Sequence, residues 1–152
     1  METRALQLPP TILFEKRDHI AIVTINRPDA MNALTKEMLL GIDHAFAEIE
    51  ADPELWVSIL TAAGDRAFSA GGDLGMVEEM TRDWATRTRV WKEASDLVYN
   101  VINCTKPIVA AIEGPCVGAG LAAAMVSDIT VAGRNARIID GHTRLGVAAG
   151  DH

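Results

Sequence analysis

Two glycine-rich stretches contain the backbone groups with the clearest potential for chemistry. The first spans residues 69–74 and reads SAGGDL, and the second contains Gly118, Ala119 and Gly120, where a helix of small residues is predicted to begin. The first N–H groups of a helix have no partner within it and lie at the positive end of its dipole. Small side chains leave such N–H groups uncovered, so that a carbonyl oxygen can approach. Two such groups aimed at one oxygen would form an oxyanion hole.

Both stretches also permit simpler interpretations. Adjacent glycines such as those at 71–72 commonly form only a turn. The segment from Gly118 to Ala123 fits the G-x-G-x-x-A form of the dinucleotide-binding fingerprint, and Asp140 follows at a suitable distance. Against that alternative, residues 113–117 separate the preceding predicted strand from the first glycine, whereas the fingerprint places its glycine close to the strand end. The match to the fingerprint is thus incomplete, and a dinucleotide-binding domain is kept as an alternative interpretation.

Ionisable side chains near these stretches are the candidates for proton transfer. They are Asp73, Asp128, Asp140, His142, Asp151 and His152. Aspartates at the ends of helices and strands are often caps, and a lone histidine is more often structural than catalytic. Their spacing supports neither a Ser-His-Asp nor a Cys-His arrangement.

Composition limits the class of protein. The chain has 152 residues and a net charge of −7, without a cluster of Lys and Arg, which argues against a nucleic-acid partner. The N-terminus resembles no secretion signal, and no apolar run reaches membrane-spanning length, so we expect a cytoplasmic protein without a membrane partner. Two cysteines are too few for a disulfide framework and lack metal-ligand spacing. We expect one domain over residues 1–152, truncated at its C-terminus.

Hydrophobic periodicity predicts alternating strands and helices. Residues 11–17 and 19–26 are predicted to form a hairpin whose second strand is covered on both faces. Thr35 is a predicted N-cap for a helix that ends near residue 51. Further predictions are strands at 55–62, 107–112 and 137–140, a short helix or turn at 76–80, helices at 84–103 and 119–127, and a strand after the last helix. The strand–turn–helix units indicate α/β layers.

Three motifs together resemble one known family. Residues 26–34 read NRPDAMNAL, residues 68–74 read FSAGGDL, and residues 106–114 read KPIVAAIEG and are followed by Gly118, Ala119 and Gly120. In this order they closely resemble the enoyl-CoA hydratase/isomerase (crotonase) superfamily, from about residue 10 to the end of the chain. The resemblance implies an α/β crotonase-like spiral of ββα units (the ClpP/crotonase fold) whose C-terminal part is missing. It also implies an acyl-CoA thioester as substrate, no cofactor beyond that coenzyme A, and a homotrimer or hexamer at full length.

The resemblance also assigns roles to individual residues. It implies that the N–H groups of Gly72 and Ala119 hold the thioester oxygen and stabilise an enolate. By the same similarity, the coenzyme site would be lined by Ala33, Leu34, Ala70, Gly72, Asp73 and Leu74. Arg66 is a candidate phosphate contact on the basis of its charge alone.

The chain departs from the family pattern at two positions. Hydratases of this family carry one glutamate where this chain has Ala122 and another where it has His142. Addition of water to a double bond needs a positioned acid and base, and alanine can be neither. We therefore expect an enzyme other than an ordinary two-glutamate hydratase, with Asp140, His142 or Asp151 moving the proton. The alternative is a non-catalytic acyl-CoA-binding module.

Overall fold

The computed structural model describes residues 7–142 and residue 146. In this part of the chain, seven strands form two sheets, and four α-helices pack on the larger sheet or on one another. No helix among these residues is both long and apolar enough to cross a bilayer.

The larger sheet has five strands. In spatial order they are β1 (Ile12–Arg17), β2 (Ile20–Ile25), β3 (Val57–Ala62), β4 (Ile108–Ile112) and β6 (Ile129–Ala132). The pair β1–β2 is the predicted antiparallel hairpin, and the later pairs are parallel. A second sheet pairs β5 (Pro115–Val117) with β7 (Arg137–Ile139) in parallel. Parallel pairing requires crossover connections, which the helices provide.

The helices are α1 (Lys36–Ala51), α2 (Leu74–Arg82), α3 (Trp84–Asn103) and α4 (Gly118–Met125). Thr35 caps α1 as predicted, because its side chain accepts a hydrogen bond from the N–H of Met38. Asp83 lies between α2 and α3, and its carboxylate accepts from the N–H of Thr86 in the first turn of α3. A single residue therefore ends one helix and begins the next, which fixes the α2–α3 corner.

The main core lies between one face of the sheet and α1. Alternate residues of β2 and β4 are buried, together with the apolar side of α1, and they include Ala21, Val23, Ile25, Ile108, Ala110, Met38, Ile42 and Phe46. The prediction that both faces of β2 are covered is wrong for the described chain, because Ile20 is exposed and Ile22 and Thr24 are only half-buried. Helix α1 packs against the opposite face of β2.

Two local predictions differ from the structure. No strand is predicted for residues 113–117, which separate the strand at 107–112 from Gly118, but these residues contain β5, whose ladder partners lie in distant parts of the chain. Helix α2 is longer than the predicted segment 76–80, because Asp73 caps it at an earlier residue. The bounds predicted for α1 and α3 agree with the structure.

Candidate active site

The first bend, residues 69–74, is held by a short parallel bridge between Leu34 and Gly72. The N–H of Leu34 donates to the carbonyl of Gly71 at 2.8 Å, and the N–H of Asp73 donates to the carbonyl of Leu34 at 2.8 Å. In an extended chain, successive N–H groups point to opposite sides. The N–H of Gly72 therefore points away from Leu34.

Ser69 and Asn32 are buried polar residues that connect this bend to its neighbours. The Ser69 hydroxyl donates to the carbonyl of Asn32 at 2.9 Å and accepts from the N–H of Gly71 at 3.2 Å. The Asn32 amide group donates to the carbonyls of Ala63 and Ala67, at 2.9 and 2.8 Å, and its oxygen accepts from the N–H of Arg27. Because buried polar groups are costly unless paired, this network specifies one arrangement of the loop.

Asp73 ends the bend and begins α2. Its carboxylate accepts from the N–H groups of Gly75 and Met76, which places a negative charge at the positive end of the helix. The Arg27 guanidinium donates to the same carboxylate at 2.6 Å and to the carbonyl of Ala33 at 3.1 Å. The hydrogen bond from Arg27, with the N–H groups of the helix, holds the pKa of Asp73 below its usual value. Asp73 is therefore a charged structural anchor near neutral pH.

The second bend, residues 117–120, has no capping side chain. Val117 is the N-cap of α4, and Ala119 is the second residue of that helix, so its N–H has no acceptor within the helix. Gly118 has a φ of +52°, a left-handed conformation that favours glycine. A Cβ atom at Gly120 would lie 2.3 Å from Cβ of Ser69, so only glycine permits this approach of the helix.

The two bends contact each other. The N–H of Ser69 donates to the carbonyl of Pro115 at 3.2 Å, and the N–H of Val117 donates to the carbonyl of Ser69 at 2.9 Å. A Cβ atom added at Gly118 would lie 3.4 Å from Cα of Gly71. The bends thus meet backbone to backbone and do not face apart.

Both bends open into one cavity of about 850 Å³. Its wall on one side is apolar and comes from α2 and α3, with Met76, Met80, Val90, Trp91 and Ala94. On the other side it contains most of the residues predicted from sequence, namely Ala33, Ala70, Gly72, Asp73, Leu74, Ala119 and His142. The structure therefore brings most of the predicted site together.

The remaining predicted residues lie elsewhere. Leu34 is fully buried in the core and contributes its backbone to the Gly72 bridge. Arg66 is exposed and does not line the cavity. Ala122 is buried among the small residues of α4 and does not line the cavity either. Asp151 lies outside the described residues.

His142 and Asp140 form a pair directly after β7. Nδ1 of His142 lies 2.7 Å from Oδ1 of Asp140, and the backbone N–H of His142 donates to the same oxygen at 3.0 Å. The His142 side chain is only 14% exposed and lines the cavity, whereas Asp140 is exposed to solvent. A carboxylate hydrogen-bonded to Nδ1 orients the imidazole ring at the cavity wall.

Nucleophilic catalysis by a cysteine and binding of a metal ion have less support. Burial raises the pKa of Cys116 to about 11, so this thiol stays protonated at neutral pH. Among residues 7–142, no group of three or more His, Cys, Asp or Glu side chains could hold a metal ion.

Three residues that position the site were missed in the sequence. Arg27, Asn32 and Ser69 carry no assigned chemistry, and their roles depend on partners that are distant in the chain. Only Ser69 carried a local signal, because it begins the glycine-rich stretch at residues 69–74.

The fold and the cavity together define a class of α/β proteins in which two glycine bends meet at the wall of one cavity. The family model described as enoyl-CoA hydratase/isomerase matches residues 15–151. The chain therefore belongs to the enoyl-CoA hydratase/isomerase family, and its fold is the crotonase fold.

Individual relatives agree with this assignment. A short-chain-enoyl-CoA hydratase from Clostridium acetobutylicum is 36% identical over 91% of this chain and 52% of its own length. A crotonyl-CoA hydratase from Syntrophomonas wolfei is 34% identical over 91% of this chain and 53% of its own length. A crystal structure of an enoyl-CoA hydratase/carnithine racemase from Magnetospirillum magneticum has a TM-score of 0.89 and 32% identity, over 97% of this chain and 55% of that one. The chain thus spans about half the length of the relatives that it matches.

Proposed function

We propose that this chain forms the oxyanion hole and part of the ligand site of an acyl-CoA-processing enzyme. The thioester oxygen would accept hydrogen bonds from the N–H groups of Gly72 and Ala119. The observation that carries the proposal is the backbone contact between the two bends, together with their shared opening into the cavity. Family membership supports a coenzyme A thioester as the ligand.

Two preorganised N–H donors would act on the negative charge that develops during the reaction. Withdrawal of electron density toward the thioester oxygen acidifies the α-proton, and its loss gives an enolate. Such donors stabilise the anion more than the neutral carbonyl, and removal of one typically costs about 3–4 kcal/mol of barrier. The chemistry would therefore be an isomerisation, a decarboxylation or an atypical hydration through an enolate, or a hydrolysis in which the same donors hold a tetrahedral oxyanion.

His142 is the preferred candidate for moving the proton. It lines the cavity and is oriented by the Asp140 carboxylate. Asp140 would act through His142, and Asp151 remains a further candidate. Because Ala122 can neither give nor take a proton, the proposal excludes the ordinary mechanism with two glutamates.

A non-catalytic acyl-CoA-binding module is the second candidate function. The buried alanine at position 122 favours it, because this side chain is absent from the cavity wall. The dinucleotide alternative has less support, because α4 follows the short strand β5 of the small sheet instead of a strand of the five-stranded sheet.

The test is turnover of crotonyl-CoA and of a 3-enoyl-CoA, together with exchange of the α-protons of butyryl-CoA in D2O followed by NMR. We expect exchange or turnover in the wild-type protein and its loss in His142→Ala. Exchange that persists unchanged in His142→Ala would remove this residue from the mechanism. Tight binding without exchange or turnover would favour the binding module.

The rest of the ligand site and the assembly remain predictions. Ala33, Ala70, Asp73 and Leu74 would contact the coenzyme, with Leu34 supporting them from the core and Arg66 a candidate for a phosphate. A homotrimer or hexamer is expected from the resemblance, and a cytoplasmic location remains a prediction from the composition of the sequence. Analytical ultracentrifugation of the protein at its natural length would test the assembly.

A further inference from the structure

We propose that Arg87 binds a carboxylate carried by the acyl group, so that the preferred substrates are coenzyme A thioesters of acids with a second carboxylate. The inference rests on the proposed function, because it places the acyl group in the cavity beside the two glycine bends. It adds a specificity-determining residue on the opposite wall, formed by α2 and α3.

Arg87 is a cationic group on a largely apolar wall. Its neighbours in the lining include Met80, Val90, Trp91 and Ala94. The other charged or titratable side chains among the described lining residues are Asp73 and His142, and each already has an ionic partner. Arg87 has no carboxylate within ion-pair distance in the described part of the chain. Within residues 7–142, its positive charge at the cavity wall therefore lacks an ion-pair partner.

The backbone of α2 occupies only part of the guanidinium. Its Nε–H donates to the carbonyl of Met80 at 2.8 Å, and one Nη2–H donates to the carbonyl of Thr81 at 3.4 Å. A guanidinium has five N–H donors, so the others remain unused among the described residues. The two donors that bind α2 lie on one edge of the planar guanidinium. The N–H groups on another edge can therefore bind a ligand.

Two tryptophans hold the guanidinium in place. Its Cζ lies 5.5 Å from the ring centroid of Trp84 and 6.0 Å from that of Trp91, and the two rings are perpendicular, with centroids 6.5 Å apart. Cation–π contacts of this kind attract the charge of the guanidinium without using its N–H donors. A side chain fixed in this way loses little entropy when it binds a ligand.

A carboxylate of the acyl group fits this wall better than a phosphate of the coenzyme. The surrounding methionine, valine and alanine side chains suit an aliphatic or aromatic chain and offer little to a hydrated diphosphate. The planar fork of a guanidinium also pairs with a carboxylate through two parallel hydrogen bonds. An acyl chain that ends in a carboxylate would use both features.

The experiment measures affinity by calorimetry, on freshly prepared ligands, for saturated thioesters in matched pairs. Succinyl-, glutaryl- and adipyl-CoA are compared with propionyl-, butyryl- and pentanoyl-CoA, which lack only the terminal carboxylate. The intact protein is measured as wild type, Arg87→Met, Arg87→Gln and Arg87→Lys. The control is Arg89→Met, which changes a cation on the same helix that pairs with Glu93 and does not line the cavity.

We expect at least one dicarboxylic thioester to bind wild type about 10- to 100-fold more tightly than its partner, the range for a charge-assisted hydrogen-bonded pair. Arg87→Met and Arg87→Gln should remove this preference and change monocarboxylic binding less than about twofold. Arg87→Lys should retain part of it, and Arg89→Met all of it. Arg87→Gln keeps a donor for the α2 carbonyls, so it separates loss of charge from loss of the helix contact.

Three results would overturn the inference. Equal losses for both series would place the Arg87 contact on a coenzyme phosphate. A lower melting temperature with unchanged affinities would limit Arg87 to its contact with α2. Absence of a carboxylate preference in wild type would refute the inference while leaving the proposed function intact. If no coenzyme A thioester binds wild type at all, the proposed function itself fails.

Discussion

The bend at residues 69–74 is held by polar side chains, whereas the bend at residues 117–120 is held by close packing. In the first, Ser69 and Asp73 accept hydrogen bonds from backbone N–H groups, and Arg27 adds an ion pair. In the second, Val117 offers no cap, and the helix begins where Gly120 packs directly on Ser69. Both nevertheless line the same cavity.

This difference shows that one backbone geometry can be specified by two kinds of physical constraint. Polar contacts fix the first bend through directional hydrogen bonds, which depend on protonation state. Packing fixes the second bend through excluded volume, which is sensitive to a single methyl group and insensitive to pH. The bends should therefore respond to different mutations, even though they serve one site.

The largest expected effect comes from removing one N–H donor while leaving the packing in place. Ala119→Pro deletes the N–H of the second residue of α4, where a helix tolerates proline because that N–H has no partner within the helix. We expect kcat to fall about 10²- to 10³-fold, the usual cost of one oxyanion donor. The measurement is steady-state turnover on the best thioester found for the wild-type protein.

Ala119→Ser is the matched control for this variant, because it changes the side chain and keeps the N–H. It should retain most of the wild-type kcat. Circular dichroism and acyl-CoA affinity show whether Ala119→Pro still folds. A folded Ala119→Pro protein with normal turnover would exclude this N–H from the mechanism.

A second comparison adds the same methyl group to each bend. In Gly120→Ala the new Cβ would lie 2.3 Å from Cβ of Ser69, whereas in Gly72→Ala its nearest neighbour would be Cε of Met76 at 3.4 Å. Alanine normally stabilises a helix interior by about 0.8–1 kcal/mol relative to glycine, so a loss at Gly120 must come from overpacking. We expect Gly120→Ala to lower the free energy of unfolding by about 1–3 kcal/mol.

Gly72→Ala should change that free energy by less than about 0.5 kcal/mol, because its methyl group makes an ordinary contact. Urea denaturation of both variants gives the two values under identical conditions. Equal effects at the two positions would refute the distinction between a bend held by packing and a bend held by polar contacts.

Local sequence signals predicted much of the fold. Thr35 marked the start of α1, and the apolar spacing from Trp84 to Asn103 gave both ends of α3. The strand β5 was missed because Pro115 and its flanking glycines indicate a turn, and because its partner β7 lies about twenty residues further along the chain. Strand pairing of this kind depends on tertiary contacts that no local pattern contains.

The sequence predicted residues that line the candidate site, but it did not predict the residues that hold them in place. Small residues at Gly72 and Ala119 suggested uncovered N–H groups, and both residues do line the cavity. The contacts of Asn32 and Ser69 join segments more than thirty residues apart, so their roles follow only from the folded chain. The position of Arg87 in α3 likewise carries no local signal, because its contacts with Met80 and Thr81 depend on the packing of α2 on α3.

The smallest expected effect concerns acid stability of the first bend. Because the pKa of Asp73 is lowered in the folded state, its ion pair with Arg27 stabilises the fold fully above the unfolded pKa of about 3.9. This contribution is lost as the pH falls through the lower folded pKa. In Asp73→Asn that pH dependence should be absent, so the difference in unfolding free energy between wild type and variant should shrink as the pH is lowered below about 4.

A double-mutant cycle with Arg27→Met isolates the pair. We expect a coupling of about 1 kcal/mol or less near neutral pH, because a quarter of the Asp73 side chain remains exposed to solvent. Glu15 and Arg17 form a more exposed pair on β1, and Glu15→Gln with Arg17→Met should show no measurable coupling.

Since the second bend contains no ion pair, the stability loss in Gly120→Ala should stay constant between pH 7 and pH 3. A loss in Gly120→Ala that varied with pH would mean that the second bend also depends on a titrating group, and the contrast between the bends would fail.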